Sequence, residues 1–242
     1  MGGFPGFKSS FIQLLKIVFP PACPLCLKTL PDNWPDDFCD TCLTGFNPLP
    51  KAHCPCCALP FVATESSSHL CGRCLTALPS YTKVYAYGLY DATLRQAVHQ
   101  FKFNHKVGLD RSLGSLLEQS IGSDLEIDLV LPVPLQKKSL RRRSYNQALL
   151  LAREIARIRR WKVDNELLVK IRATLPQHEL PAKERERNLR GAFRLTRQLS
   201  GEKILLIDDV MTTGATVSAC SQVLLNGGAG SVNVAVIARA AR

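Results

Sequence analysis

"ILLIDDVMTTGATV", residues 204–217, runs four apolar residues into two adjacent aspartates and then into a segment of threonines, glycine and alanine. An apolar run bounded in this way reads as a buried strand, which places Asp208 and Asp209 where that strand ends. Like charges in contact repel, and two ionised carboxylates left unpaired in an apolar place are costly. A polar or cationic partner is therefore expected to meet them. The next residues can wrap an anion. Gly214 permits close backbone approach, the threonine hydroxyls donate, and successive N–H groups at the start of the next helix point at a ligand. Ligands of α/β sheets bind at the carboxyl ends of strands. The stretch thus pairs a carboxylate site with a phosphate site, and suits a molecule with hydroxyls or a metal ion at one end and a phosphate at the other. A Walker B strand also ends in acidic residues, but the chain holds no G-x-x-x-x-G-K-[ST] loop, and no G-x-G-x-x-G, G-x-S-x-G or H-E-x-x-H sequence.

Around this stretch strands alternate with helices. "KVYAYGLY" alternates like a strand, and Asp91 can cap a helix that puts Leu94, Ala97, Val98 and Phe101 on one face. A second helix covers "LDRSLGSLLEQSI", "IDLVLPVP" is a buried strand stopped by prolines, and "YNQALLLAREIARIRR" is an amphipathic helix. "NELLVKI" reads as a short strand, and "RATLPQHELPAKERERN" as a long, charged, functional loop. After "KILLIDD" come a helix over residues 215–226, closed by Gly227 and Gly228, and a last strand "SVNVAVIA". The pattern predicts an α/β domain over residues 81–242, its sheet mainly parallel with helices on both faces.

Residues 1–80 have another texture, poor in periodic pattern and rich in Cys, Pro and short polar turns. Such a segment cannot build a conventional core alone, so cross-links or metal must hold it. Nine of the ten cysteines lie there, and eight form four C-x-x-C pairs: Cys23/Cys26, Cys39/Cys42, Cys54/Cys57 and Cys71/Cys74. Each pair can present two thiolates from one knuckle, and two knuckles complete a closed tetrahedral site for zinc. Chain order is the simplest pairing, an interleaved one the alternative; disulfides and iron–sulfur ligation are the rival chemistries. Cys56 could replace Cys57 as a ligand, and His53 and His69 are near enough in sequence to compete. Closed all-cysteine sites leave no position for a substrate, so the module is expected to shape or dock. Cys220, on the helix after the phosphate loop, reads as a small core residue.

At 242 residues, 46% hydrophobic and with a mean hydropathy near zero, the composition is that of a soluble globular protein. No run approaches the roughly 18 uncharged apolar residues that a membrane span requires. The start, "FKSSFIQLLKIVFPPAC", has some likeness to a signal peptide, but Lys16 and Gln13 interrupt its apolar run and no small-residue cleavage site comes after it; the cytoplasm is the expected compartment. The net charge of +11 is uneven, with 10 basic against 11 acidic residues in 1–130 and 21 against 9 in 131–242. That asymmetry points to phosphate-bearing partners, a polyphosphate substrate or nucleic acid, with a solvated basic face as the plain alternative.

The motif "ILLIDDVMTTGAT" resembles the phosphoribosyl-pyrophosphate motif of type I phosphoribosyltransferases, and its union with a double C-x-x-C front end resembles the ComF/GntX family, linked to DNA uptake in natural competence, over essentially the whole chain. The resemblance implies that Asp208 and Asp209 face the ribose hydroxyls and that Met211, Thr212, Thr213, Gly214, Ala215 and Thr216 hold the 5-phosphate. "LPVPLQKKSLRRRSYNQA" is similar to the stretch on the pyrophosphate side, where Arg143, Asn146 and Gln147 match while Ser144 and Tyr145 replace Gly and Phe. "LPAKERERNLRGAF" is similar to the catalytic loop that closes over the diphosphate, with Lys183, Arg185 and Arg187 as its cations and Arg190 a structural neighbour.

The resemblance further implies a Mg2+-dependent phosphoribosyltransferase of unknown acceptor, with two structural zinc ions. Lys183, Arg185, Arg187, Asp208 and Asp209 would be its catalytic residues. The rival is a non-enzymatic accessory factor that binds single-stranded DNA through Lys137, Lys138, Arg141, Arg142 and Arg143, with Tyr145 for stacking. A third reading is a sensor of the pyrophosphate sugar. Other competence proteins, such as a DNA translocase, are candidate partners in any of these readings.

Overall fold

The run Ile204, Leu205, Leu206, Ile207 has no exposed surface at all, because the strand that carries it is covered on both faces and both edges. Such a strand reads as a continuous apolar run. The structure is a computed structural model and describes residues 20–61, 69–103, 108–136, 140, 144–174 and 187–241. Its strands are β1 (Val84–Leu89), β2 (Leu129–Pro132), β3 (Leu168–Lys170), β4 (Phe193–Leu195), β5 (Lys203–Met211) and β6 (Ser231–Arg239). Its helices are α1 (Asp40–Thr44), α2 (Gly72–Thr76), α3 (Ala92–Phe103), α4 (Leu109–Gln119), α5 (Gln147–Arg159) and α6 (Ala215–Asn226).

Four strands make a parallel sheet in the order β1-β6-β5-β2. Alternate residues of β5 face opposite layers. Leu205 and Ile207 pack with α3, α4 and α5, whereas Ile204 and Leu206 pack with Val217, Cys220 and Leu224 of α6. Helices therefore cover both faces, as the alternation of elements predicts. The four residues expected on the buried face of α3, Leu94, Ala97, Val98 and Phe101, are all fully buried.

Two expectations change in detail. "NELLVKI" does form a strand, β3, but it leaves the main sheet to pair antiparallel with β4, a strand that begins just past the charged loop segment. Three residues carry little signal of their own, and the pairing supplies it. The strand "KILLIDD" also continues beyond the aspartates to Met211, in register with Arg239 of β6, so both carboxylates lie on the ladder itself.

The Cys-rich segment packs onto this sheet from both sides. The first cysteine group, with Leu25, Leu30, Phe38 and Phe46, joins the core of α3 to α5, and the second, with Ala58, joins the core of α6. The chain between them runs along β1, Leu49 N–H donating to the Tyr87 carbonyl at 3.0 Å and Leu89 N–H to the Asn47 carbonyl at 2.8 Å. That covers an edge that would otherwise be open to another strand.

Gly228 ends the turn after α6 at φ +98°, and a Cβ there would lie 2.4 Å from the Leu199 carbonyl oxygen. Gly228→Ala is expected to cost about 2 kcal/mol or more, read as a fall in thermal midpoint, whereas Gly72→Ala, with nothing within 4 Å, is expected to leave it unchanged or raised.

Candidate functional site

Of the two aspartates, Asp209 meets a cation, a lysine on α3. Lys102 Nζ lies 2.8 Å from Asp209 Oδ1, and the side chains are only 17% and 10% exposed. A pair this enclosed is costly to break, by roughly 3–5 kcal/mol, because the carboxylate left behind is buried and uncompensated. Asp208, half-buried, turns to the opposite face: its Oδ1 accepts the Asp209 N–H at 2.9 Å, and its charge is felt by the fully buried Cys220 of α6. Burial, chiefly, pushes that thiol well above its ordinary value. Cys220 is thus the core residue expected. Alternation along one strand separates the carboxylates, one toward α3 and one toward α6.

Beyond Met211 the chain turns sharply into α6. Gly214 takes φ +79° as the residue preceding the helix, and a Cβ there would meet Met211 Cε at 2.5 Å, so glycine is required on both counts. Thr213 Oγ1 accepts the Ala215 N–H at 3.3 Å. Two arginines hold the carbonyls of this turn. Arg239, 3% exposed at the end of β6, donates Nη1 to the Met211 carbonyl at 3.0 Å and the Thr212 carbonyl at 2.5 Å, and Nε to the Cys57 carbonyl at 2.9 Å. Arg73, from the Cys-rich segment, donates to the Thr213 carbonyl.

The residues after β2 approach the same end of the sheet. Asn146 caps α5, its side chain accepting the Ala148 N–H and donating to the Val133 carbonyl, each at 3.1 Å. Gln147 beside it is 1% exposed. Ser144 adopts φ +65°, the left-handed conformation that glycine takes most easily. The Tyr145 ring packs 6.0 Å from that of Phe101, and its hydroxyl donates to the Phe101 carbonyl. Tyr145 is thereby fixed to α3, one residue from Lys102. Arg187 is exposed just before β4, and Arg172 Nη2 donates to the Asn188 and Arg190 carbonyls at 2.7 Å each. Lys137, Lys138, Arg141, Arg142, Arg143, Lys183 and Arg185 lie outside the described residues.

Three residues at the site escape the sequence reading. Lys102 comes after a buried phenylalanine near a helix end, where a lysine ordinarily reads as solvated. Arg73 sits in a cysteine knuckle far away in the chain. Arg239 did leave a signal: it is a charge closing the apolar run from Val234 to Ala238.

The cysteines sort in chain order. Cys23, Cys26, Cys39 and Cys42 form one group and Cys54, Cys57, Cys71 and Cys74 another, with all sulfurs of each group within 4.8 Å of one another. The Cys26–Cys39 and Cys57–Cys71 sulfurs are 3.6 Å apart. A tetrahedron with Zn–S bonds near 2.3 Å needs sulfurs about 3.8 Å apart, so the donor sets fit zinc. At Cys23 and Cys54 burial opposes ionisation, but N–H groups of the knuckles outweigh it and bring both thiols down to about 7. Burial and the neighbouring thiols push Cys42 and Cys74 upward instead. Four thiolates this close need a cation between them. Cys57, not Cys56, belongs to the second group. His53 Nδ1 pairs with the Pro50 carbonyl at 2.7 Å, and His69 stacks on Phe61 with centroids 4.2 Å apart.

Comparison with known proteins matches residues 14–75 to the double zinc ribbon domain and residues 142–242 to the phosphoribosyl transferase domain. DNA utilization protein YhgH of Escherichia coli K12 is 34% identical over 92% of this chain and 99% of its own length. Competence protein F of Haemophilus influenzae is 33% identical over 70% of this chain and 78% of its own. The chain belongs to the ComF/GntX family. The ribbons of this ComF-family chain are thus its two four-cysteine zinc-binding groups, and its fold is type I phosphoribosyltransferase-like. Among its described residues no helix is long and apolar enough to cross a membrane.

Elemental analysis of the purified protein is expected to find close to two zinc ions per chain, falling toward one in Cys74→Ser. Metal-free protein with its cysteines oxidised in pairs would contradict the assignment.

Proposed function

We propose that the protein binds phosphoribosyl pyrophosphate at the carboxyl end of β5 and transfers its phosphoribosyl group to an acceptor. The observation that carries this is the succession, in one strand–turn–helix, of two separated carboxylates and a Gly214 turn opening α6. Asp208 and Asp209 would hold the ribose hydroxyls. Met211, Thr212, Thr213, Gly214, Ala215 and Thr216 would enclose the 5-phosphate with N–H and hydroxyl donors at a helix start. Arg143, with Asn146 and Gln147 shaping its loop, would stand on the pyrophosphate side, and Lys183, Arg185 and Arg187 would close over the leaving group.

Carboxylate oxygens are the hard donors that Mg2+ accepts, and Asp208 and Asp209 would hold it with the substrate. When bound, Mg2+ supplies charge neutralisation at the diphosphate. In the reaction the bond from the anomeric carbon to the diphosphate oxygen breaks, the electron pair leaving with pyrophosphate, and a lone pair of the acceptor makes the new bond. Positive charge develops on the sugar near Asp208 and Asp209, and negative charge on the leaving group near the loop cations, so both are stabilised as they form. Closure of that loop would exclude water from the sugar cation. Lys102, 2.8 Å from Asp209 Oδ1, holds that carboxylate in its orientation before the sugar arrives.

Calorimetric titration with phosphoribosyl pyrophosphate and Mg2+ tests the reading. Wild type is expected to bind, and Asp208→Asn with Asp209→Asn to weaken binding at least tenfold; equal binding by the double variant would sink it.

The names of the relatives, DNA utilization protein and Competence protein F, favour a second role that involves DNA, and we propose single strands as the form bound. Lys137, Lys138, Arg141, Arg142 and Arg143 are its candidate phosphate contacts. Affinity for a single-stranded oligonucleotide is then expected to fall steeply with salt and to drop on changing Arg141, Arg142 and Arg143 to alanine; a flat salt response rejects it.

A further inference from the structure

The second zinc ribbon meets the turn between β5 and α6 through two guanidinium groups. Arg239 binds the carbonyls of Met211 and Thr212 on one side and the carbonyl of Cys57, a zinc-site residue, on the other. Arg73, between Cys71 and Cys74, binds the carbonyl of Thr213. Three consecutive carbonyls, at residues 211–213, are therefore held by cations at the ribbon. A cavity of about 230 Å³ lies between the two elements, lined among others by Arg73, Leu78, Tyr81, Thr213, Gly214 and Arg239.

Holding the carbonyls fixes the N–H groups. In a planar trans peptide the carbonyl of one residue and the N–H of the next point in opposite directions, and no described peptide is cis. With the carbonyls of Met211, Thr212 and Thr213 turned to the arginines, the N–H groups of Thr212, Thr213 and Gly214 are aimed the other way. Gly214 at φ +79° then leads into the first turn of α6, whose N–H groups carry partial positive charge. Successive N–H groups so arranged make a concave anion site.

We propose that the second zinc ribbon positions the anion-binding turn, with Arg73 and Arg239 as positioning residues that hold it in its phosphate-accepting form. Zinc at Cys54, Cys57, Cys71 and Cys74 fixes the Cys57 carbonyl and the Arg73 backbone. Those fix the two guanidinium groups, which hold the turn. Zinc at this site and a phosphate group at the turn consequently raise each other's affinity, as linkage requires. The first ribbon packs in the core of the opposite face and has no part in this coupling. The nature of the ligand rests on the proposed function; the hold on the turn does not.

Hydrogen exchange of the full-length, zinc-loaded protein separates the two. In Arg73→Met, a change at an exposed ribbon residue, and in Arg239→Met, the amides of residues 212–218 are expected to exchange about tenfold faster, with both zinc ions retained. Affinity for phosphoribosyl pyrophosphate is expected to fall several-fold in parallel. Cys26→Ser, which alters the first site, is expected to leave exchange at the turn unchanged. Wild-type exchange at the turn in folded Arg73→Met overturns the proposal, and so does equal loosening in Cys26→Ser. If the wild type does not bind the sugar while Arg73→Met still loosens the turn, the substrate reading fails and the positioning role stands.

Discussion

A carboxylate on the buried ladder of a central strand must meet a cation or give up its charge, and the meeting of Asp209 with Lys102 links three elements around the site. It fixes the end of α3 over the end of β5. The residue before Lys102, Phe101, has its side chain in the core and its carbonyl in a hydrogen bond from Tyr145. Tyr145 stands beside Asn146, which caps α5 and reaches back to Val133 after β2. The carboxyl ends of β5 and β2 are therefore held together through α3. Moving the lysine away would leave Asp209 a buried charge without its cation, so the site keeps its form only while α3 keeps its register.

The ribbons are bound into the same logic. A Cys-rich segment of this length buries too little surface to fold on apolar contacts alone. Metal closes each knuckle, and the remaining apolar residues are buried against the sheet: Phe46 edge-on to Tyr87 at 6.3 Å on one side, Ala58 and the second cysteine group with Tyr81 on the other. Ribbon and sheet share their cores, so loss of zinc at one site is felt at the layer it packs on. The two sites consequently affect different faces of the domain, although their donor sets are alike.

The fold was legible where signal is local. Period 2 and period 3.6 patterns placed β1, α3, α4, α5 and α6, and the four apolar residues before Asp208 marked a strand buried on both faces. The C-x-x-C spacings named all eight cysteines that gather in the two groups. What was not legible depends on contacts between distant residues. β4 exists because β3 pairs with it, and the strand leading to the aspartates extends to Met211 because β6 continues alongside. Lys102 and Arg73 owe their place to packing, since neither position stands out in its own segment. Ser144 shows the converse: its left-handed backbone is what the glycine of the family's pattern implies at that place, not what serine itself favours.

Part of the basic excess of the second half meets partners within the protein. Arg157 pairs with Glu154, Arg159 with Glu118 and the carbonyl of Ile121, Arg197 with Asp164 and Glu202, and Arg239 is buried among carbonyls. These arginines join helices and loops; Arg159 and Arg239 are enclosed, whereas Arg157 and Arg197 are exposed beside their carboxylates. Charge counted over the whole half thus overstates the field that a ligand meets, because a guanidinium group beside its own carboxylate or carbonyl is partly neutralised before any ligand arrives.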